Sequence, residues 1–469
     1  MVKIEQSGIM EFEGFVNDVM KAYGAQGVAV SIFGKNKTYY ENFFGYRDSE
    51  KQLEIDENTI FGMASISKSF TCLALMQLVE KGIVDLDGLI SDYIPEFSGK
   101  NQKGVRVRHL LSHAAGFFPE KRILLKDVAE QLDIWDKRES EDLTYSDELA
   151  VEGIKLVAGR LDSREKLIGK PGELMSYSND SYGLIADIVR RHGGESSYSA
   201  YVKKHILEPL EMNRSGMEFE APIKDTNRTQ LYIYRNGELD CNNDFYDNAF
   251  VLMGGGAMKS TIADLKNYTL MYLNEGIGIN GKALLSQYFT REMFKPRQFY
   301  RFQQYYGFGL STKFMDDITV IGHGGSLTGV ANMFQWSPQL ECGIIVLCNT
   351  SEFPAGVIAD AATKLANGKK ILSKRDAFSD IAWSEETIKA ACGFYKSDEG
   401  ALYEISCESG AISLKMNDEN LNIRIVSNDT LLILKPFNNA DLILCRHNNG
   451  EVWGIRTGGR IIPKDGNCE

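Results

Sequence analysis

Residues 70–79, FTCLALMQLV, are apolar nearly all round. A surface helix carries one apolar stripe, whereas a helix apolar on every side has to be enclosed by other elements. The run is closed by Lys81 and by Gly82, the residue type that takes the left-handed C′ position. Such a helix belongs in the middle of a sizeable core. The 469 residues exceed what one ordinary domain core holds, so two or three structural units are expected.

The pattern on either side of this helix sets the rest of the architecture. Residues 12–23 read as an amphipathic helix, and GVAVSIF, GKNK and TYYENFFGY as strand, turn and strand. Residues 90–274 are mostly helix and loop, with a helix expected over 180–191 and a capping-box variant at Thr261–Asp264. Strands return at 308–349 as DITVIGHGGS, VANMFQW and CGIIVLCN, and a helix at 355–367 is placed to cover them. Strands at both ends with helices between them predict an antiparallel sheet closed by the two ends of the chain. From about residue 390 the pattern changes to short alternating segments at spacings near ten residues, separated by Ser-Gly, Asn-Asp and Asn-Asn-Gly turns. That is the signature of a small all-β barrel or sandwich. The fold class expected is therefore α/β (α+β), with an antiparallel sheet flanked by helices, a helical subdomain and a C-terminal all-β barrel. The units run 1–370 and 390–469, joined by a charged linker at 371–389.

Composition narrows the function classes. A hydrophobic fraction of 43% with 25% charged residues excludes a disordered or fibrous chain. A net charge of −12 repels phosphate backbones and argues against a nucleic-acid binder. No apolar run approaches the roughly eighteen residues of a membrane span. The first fifteen residues lack a basic and an apolar signal region, so a cytoplasmic protein is expected. The eight cysteines include no CxxC pair and read as buried thiols. His109 and His113 are an i,i+4 pair without the Glu of HExxH, and both read as structural. No cofactor and no metal site are expected.

Three short motifs carry chemistry. Ser65-Ile66-Ser67-Lys68 is SxxK at the start of the enclosed helix, where i,i+3 spacing puts hydroxyl and amine on one face. Burial lowers the amine's pKa, so the neutral form can take the serine proton, and the helix N-terminus favours negative charge there. Tyr177-Ser178-Asn179 is YxN, and His323-Gly324-Gly325 is HGG at a strand end. Each has chance copies: Ser163-Arg164-Glu165-Lys166, Tyr234-Arg235-Asn236, Tyr246-Asp247-Asn248, Tyr272-Leu273-Asn274 and His192-Gly193-Gly194. Order and setting distinguish the first set from the copies.

With the framing sequences VRVRHLLSHAAG, PGELMSYSNDSYGLIADIV, GGGAMKSTIADL and IGHGGSLTGVANMFQWSP, residues 27–366 resemble the serine β-lactamase and penicillin-binding-protein superfamily, in its class C-like and D-peptidase branch. The resemblance implies that Ser65 is the acylated nucleophile and that Lys68 and Tyr177 are the proton-transfer pair. It further implies that Asn179 holds Lys68 and the substrate amide, and that the backbone N–H groups of Ser65 and Ser326 form the oxyanion hole. His323 stands where β-lactamases commonly carry the Lys of KTG, so any positive charge for a substrate carboxylate depends on its protonation. Gly324 and Gly325 let substrate lie along the strand edge. The C-terminal unit resembles the lipocalin-like domain attached to several D-peptidases. It is either a stability or oligomerisation module or a source of a loop at the cleft mouth. The expected function is a serine hydrolase acting on D-amino-acid-containing peptides, with an esterase, lactonase or transacylase, or a slow β-lactam-binding sensor, as alternatives. The expected partners are a small molecule or short peptide and a second copy of the chain, and neither nucleic acid nor membrane.

Overall fold

The computed structural model describes residues 2–121, 123, 125–132, 147–217, 225–242, 252–371, 378–408 and 410–466. Its centre is an antiparallel nine-stranded sheet. Across the sheet the strands run Leu53–Glu54, Thr38–Asp48, Gly27–Gly34, Cys342–Cys348, Val330–Ser337, Ile318–Leu327, Ser311–Met315, Gln304–Tyr306 and Gln298–Arg301. The early hairpin pairs with the late strands, from Val28↔Cys348 to Gly34↔Cys342, so the two ends of the unit do close one sheet. The three strands between residues 298 and 315 were not expected as strands, because their polar, half-exposed side chains give little apolar alternation.

The central strands are covered on both faces, which is why Gly27–Gly34 and Cys342–Cys348 are buried at every position and show no inward–outward alternation. Helices Gln6–Tyr23 and Ala355–Ala366 pack on one face through Phe12, Val16, Val19, Ile358 and Leu365. On the other face lies the helix Ser67–Glu80, with every residue from Ser67 to Leu78 buried. It is enclosed by Ile262–Leu273 and Asn179–His192, and the Phe70 ring stacks on Tyr268. Gly82 takes φ 71° at its end, where Ile83 N–H donates to Leu78 O at 2.9 Å. At Thr261 only half of the expected capping box forms. Its hydroxyl accepts from Asp264 N–H, while the Asp264 carboxylate turns to Arg214 N–H and the Ser215 hydroxyl. The middle region also holds a hairpin, Leu231–Arg235 with Glu238–Asn242, that its polar sequence concealed.

The C-terminal sheet also has nine strands where six segments were expected. Its order is Glu419–Leu421, Ala411–Met416, Leu402–Glu408, Gly393–Lys396, Arg460–Gly466, Val452–Thr457, Ala440–Arg446, Thr430–Ile433 and Ile423–Ser427. The two edge strands follow each other in the chain, which makes the sheet a nearly closed barrel around Tyr395, Ile405, Leu414, Leu431, Leu442 and Ile455. The described part of the segment read as a linker packs on this barrel. Trp383 enters the barrel core and donates its indole N–H to Ser427 O at 2.8 Å, and Ser384 caps the helix Glu385–Ala391. Barrel and main unit share an apolar cluster of Phe118, Ile168 and Ile461, and Phe437 packs on Phe15 and Tyr23. No described helix is long and apolar enough to cross a membrane, and no described cysteine forms a disulfide.

Candidate active site

Ser65 does not sit in the α-helix as the sequence suggests, but in a 3₁₀ turn, Ala64–Ile66, that leads into it. The turn is forced by Ala64, a buried residue at φ 47°, where a Cβ costs about 1–2 kcal/mol. The surroundings hold it there. Met63 N–H donates to Met258 O at 2.7 Å, Met258 N–H to Ser67 Oγ at 2.9 Å, and Ser67 Oγ–H to Ala64 O at 2.6 Å. Strand Ile318–Leu327 presses on the same turn, and a Cβ on Gly325 would meet Met63 O at 2.1 Å. Strain of this kind is stored where it presents a reactive group, and Ser65 is the part-exposed residue of the turn.

Lys68 is fully buried, with Nζ 3.1 Å from Ser65 Oγ, 2.8 Å from Asn179 Oδ1 and 2.8 Å from Gly255 O. Nζ can donate to all three partners as an ammonium. When it is neutral, the two carbonyl oxygens, which can only accept, take its N–H bonds and its lone pair faces the Ser65 hydroxyl. Burial holds the Lys68 pKa well below the usual range, and the positive charge of Arg460 lowers it further. A buried amine of depressed pKa in hydrogen-bond contact with a hydroxyl can act as its base.

Tyr177 lies over this amine, with Lys68 Nζ 4.8 Å from the ring centroid. Burial raises its phenol pKa, Tyr300 raises it further, and Ser65 acts in the opposite direction. The phenol therefore keeps its proton, and among the described residues its buried oxygen has no hydrogen-bond partner. Behind it is His113, read from the sequence as structural together with His109. His109 remains so, its Nδ1 accepting from Arg106 N–H. His113 packs on the Tyr177 ring at 4.2 Å, its Nδ1 accepts from Ser178 N–H at 3.1 Å, and burial keeps the ring neutral. Next to Asn179, burial pushes the Asp180 carboxyl up to about 7.

The HGG strand forms the other wall. The neighbouring strand Ser311–Met315 pairs with it only as far as Gly322, whereas Val330–Ser337 pairs along its full end. Residues 323–327 thus present an open strand edge beside Ser65, with Ser326 exposed on it. Gly325 is obligatory for contact with Met63, while a Cβ on Gly324 would meet nothing closer than 3.5 Å. His323 does not carry the charge a carboxylate anchor requires. Its Nδ1 faces its neighbour's carbonyl, Gly324 O, and must donate there, so Nε2 accepts from the Tyr306 hydroxyl at 3.0 Å. Burial, helped by Lys68, pushes its pKa down to about 3. The imidazole is neutral and both of its nitrogens are occupied.

A family model described as Beta-lactamase matches residues 12–368. The chain belongs to the beta-lactamase family. Among curated relatives, the human mitochondrial serine beta-lactamase-like protein LACTB is 30% identical over 292 residues, covering 52% of this chain and 53% of that protein. Protein flp of Staphylococcus aureus is 24% identical, covering 76% of this chain and 66% of its own length. The chain thus spans about half to two thirds of the length of these relatives. An octameric penicillin-binding protein homologue from Pyrococcus abyssi matches 98% of the chain at 25% identity, with a TM-score of 0.67 and 99% of its own chain covered. SurE in complex with D-Leu matches 98% of this chain and all of its own at 16% identity and TM-score 0.69, a likeness of fold.

In this member of the beta-lactamase family the chance motif copies lie elsewhere. Ser163 and Lys166 are exposed, and Arg164 between them bridges Glu120 to Asp398 of the barrel. Tyr272 stacks on Trp336 in the core, Tyr234 is on the surface hairpin, and His192 bonds Tyr93 O at a helix end. Tyr246-Asp247-Asn248 falls outside the described residues. The sequence reading offered a barrel loop at the cleft mouth as one alternative but named none of its residues. The turn at 458–459 reaches the cleft, where Gly459 O accepts from Tyr177 N–H at 2.8 Å and Ile461 N–H donates to Ser176 Oγ at 3.0 Å. Arg460 follows, its guanidinium carbon 5.1 Å from the Tyr177 ring centroid and its Nε paired with Glu399. A Gly-Gly pair between two strands signals a hairpin, but nothing in it tells which surface that hairpin meets.

Proposed function

We propose that the chain is a serine hydrolase that forms an acyl-enzyme on Ser65 and acts on amide bonds next to D-residues in short peptides. The observation that carries this reading is the buried Lys68 amine, its pKa held well below the usual range, 3.1 Å from Ser65 Oγ. Lys68 Nζ removes that proton as Oγ attacks the carbonyl carbon. The resulting oxyanion is held by the Ser65 and Ser326 N–H groups, each such donor being worth about 10²–10³ in rate. The protonated Tyr177 passes its proton to the leaving amine and regains one from Lys68. Water then attacks the ester by the same steps in reverse order. Asn179 orients Lys68, and Gly324 and Gly325 leave room for an extended peptide to pair with the open edge. The residues we assign to catalysis lie within 1–370, and the barrel, 390–469, borders the cleft. A homo-oligomer accords with the octameric archaeal neighbour and is read by light scattering.

The test is covalent labelling. A fluorophosphonate should add one mass unit of label to the wild type, located on the Ser65 peptide, and none to Ser65→Ala. Label on Ser163, or none at all, refutes the assignment. D-Ala-p-nitroanilide, D-Ala-D-Ala peptides, p-nitrophenyl esters and nitrocefin, run side by side, separate a peptidase from an esterase or a β-lactamase.

A further inference from the structure

The geometry points to Arg460, on the last hairpin of the barrel, as the residue that binds a carboxylate carried by the substrate. The inference rests on the proposed peptidase reading and adds to it the substrate's charge and the part of the chain that recognises it. Four basic side chains surround Tyr177 and His323. Lys68 and His113 are buried, which disfavours their charged forms, and Lys68 is spent on Ser65, Asn179 and Gly255. Arg301 leans on the outer face of Tyr300 and is exposed. Arg460 alone combines a permanent charge with a place against Tyr177 at the cleft and a side chain that is still 31% exposed.

Its hydrogen bonds show which edge is available. Glu399 takes Nε, and its second oxygen takes Nη2 at 3.3 Å. A guanidinium has five N–H donors, and among the described residues Nη1 donates to none. The Nη1–Nη2 edge can therefore pair with a second carboxylate, with Glu399 and the Tyr177 face fixing the plane. The backbone makes the position firm. Gly459 at φ 79° is the residue through which the turn passes Tyr300, since a Cβ there would lie 2.2 Å from that ring. The turn is then stitched to residues 176–177 by the two hydrogen bonds given above. A charge lost from the strand at His323 is so returned to the cleft from the other unit.

The test reads binding, without turnover, in the Ser65→Ala protein. N-acetyl-D-Ala-D-Ala and its C-terminal carboxamide are titrated by calorimetry. The acid should bind about tenfold or more tightly than the carboxamide, as expected for one charged hydrogen-bonded pair. Adding Arg460→Gln should abolish that preference and leave carboxamide affinity within about threefold. Arg460→Lys should keep part of the preference, and Glu399→Gln, which releases the guanidinium from its partner, should increase it. No preference in the parent, binding of neither ligand, equal weakening of both by Arg460→Gln, or a preference that disappears in Arg301→Gln instead, each overturns the inference. Labelling of Ser65 in the wild type is scored separately, so a failed carboxylate site and a failed serine hydrolase give different results.

Discussion

The helix Ser67–Glu80 and the turn at 458–459 approach the same tyrosine from two units, and they do so by opposite means. The helix brings Lys68 under Tyr177 because twelve consecutive residues are buried, and no other placement hides them. The turn itself, Gly458-Gly459, has no apolar side chain. Arg460 is brought onto Tyr177 by barrel closure, by burial of the next residue, Ile461, against Phe118 and Ile168, and by two hydrogen bonds to residues 176 and 177, one of them spanning 285 positions. A reactive group set by burial is announced by a periodic pattern in its own segment. A group that supplies charge at a cleft mouth is set by surfaces made elsewhere, and its own segment is silent about it.

Four experiments bear on this contrast, beginning with the largest effect. Lys68→Ala removes the base and should lower kcat by about three orders of magnitude or more, with a cooperative melt retained, because only the oxyanion donors remain. Turnover within tenfold of wild type would mean that the buried amine is structural. Trp383→Ala empties part of the barrel core at a cost of about 3–5 kcal/mol. If the barrel borders the working cleft, peptide hydrolysis and barrel ellipticity should fall together on warming, and activity that outlives the barrel would make it an accessory. Gly459→Ala places a Cβ at positive φ against Tyr300. It should cost roughly 1–2 kcal/mol of turn geometry and reduce kcat/KM about tenfold, with a smaller change in Tm than Trp383→Ala gives.

The smallest effect is pH dependence. His323 has its folded pKa pushed down to about 3, below the ordinary value near 6.5, and His113 moves the same way. The native state thus binds fewer protons than the unfolded chain across that interval. Stability is complete above about pH 6.5 and is lost as pH falls toward the folded values. Urea midpoints should drop on acidification, and less so in His323→Gln, which keeps an acceptor for Tyr306. Within about pH 5.5–8.5, a range bracketing an ordinary histidine titration, acid and carboxamide substrates should give parallel profiles. Both should fall together wherever acidification protonates Lys68, whose pKa burial depresses. A gain for the acid substrate alone would return the carboxylate anchor to His323 and sharpen the contrast between strand and turn.

The legible parts of the molecule share one property, that local geometry suffices for them. The i,i+3 spacing of Ser65 and Lys68, the C′ glycine at Gly82, the hairpin after Gly27 and the last three strands of the main unit all follow from backbone sterics and apolar period. The three strands over 298–315 and the barrel strand Arg460–Gly466 were missed for the reverse reason. Their polar and part-exposed side chains give little apolar alternation, and what makes them strands is the antiparallel pairing itself, with chain neighbours and, for Arg460–Gly466, also with Gly393–Lys396.

The amino-acid sequence by itself determined that the helix after Ser65 would be enclosed, that the Ser65 hydroxyl and the Lys68 amine would lie together, and that an antiparallel sheet and a separate β unit would follow. Only the tertiary structure decided which copy of each motif met the others, which carbonyl oxygens Lys68 meets, that His323 is tied to Tyr306 and uncharged, and that Arg460 lies against Tyr177. Helical spacing is a property of a few neighbouring residues. Protonation and charge at a site depend on burial and on every group within several ångströms, and those groups come from segments that only folding brings together.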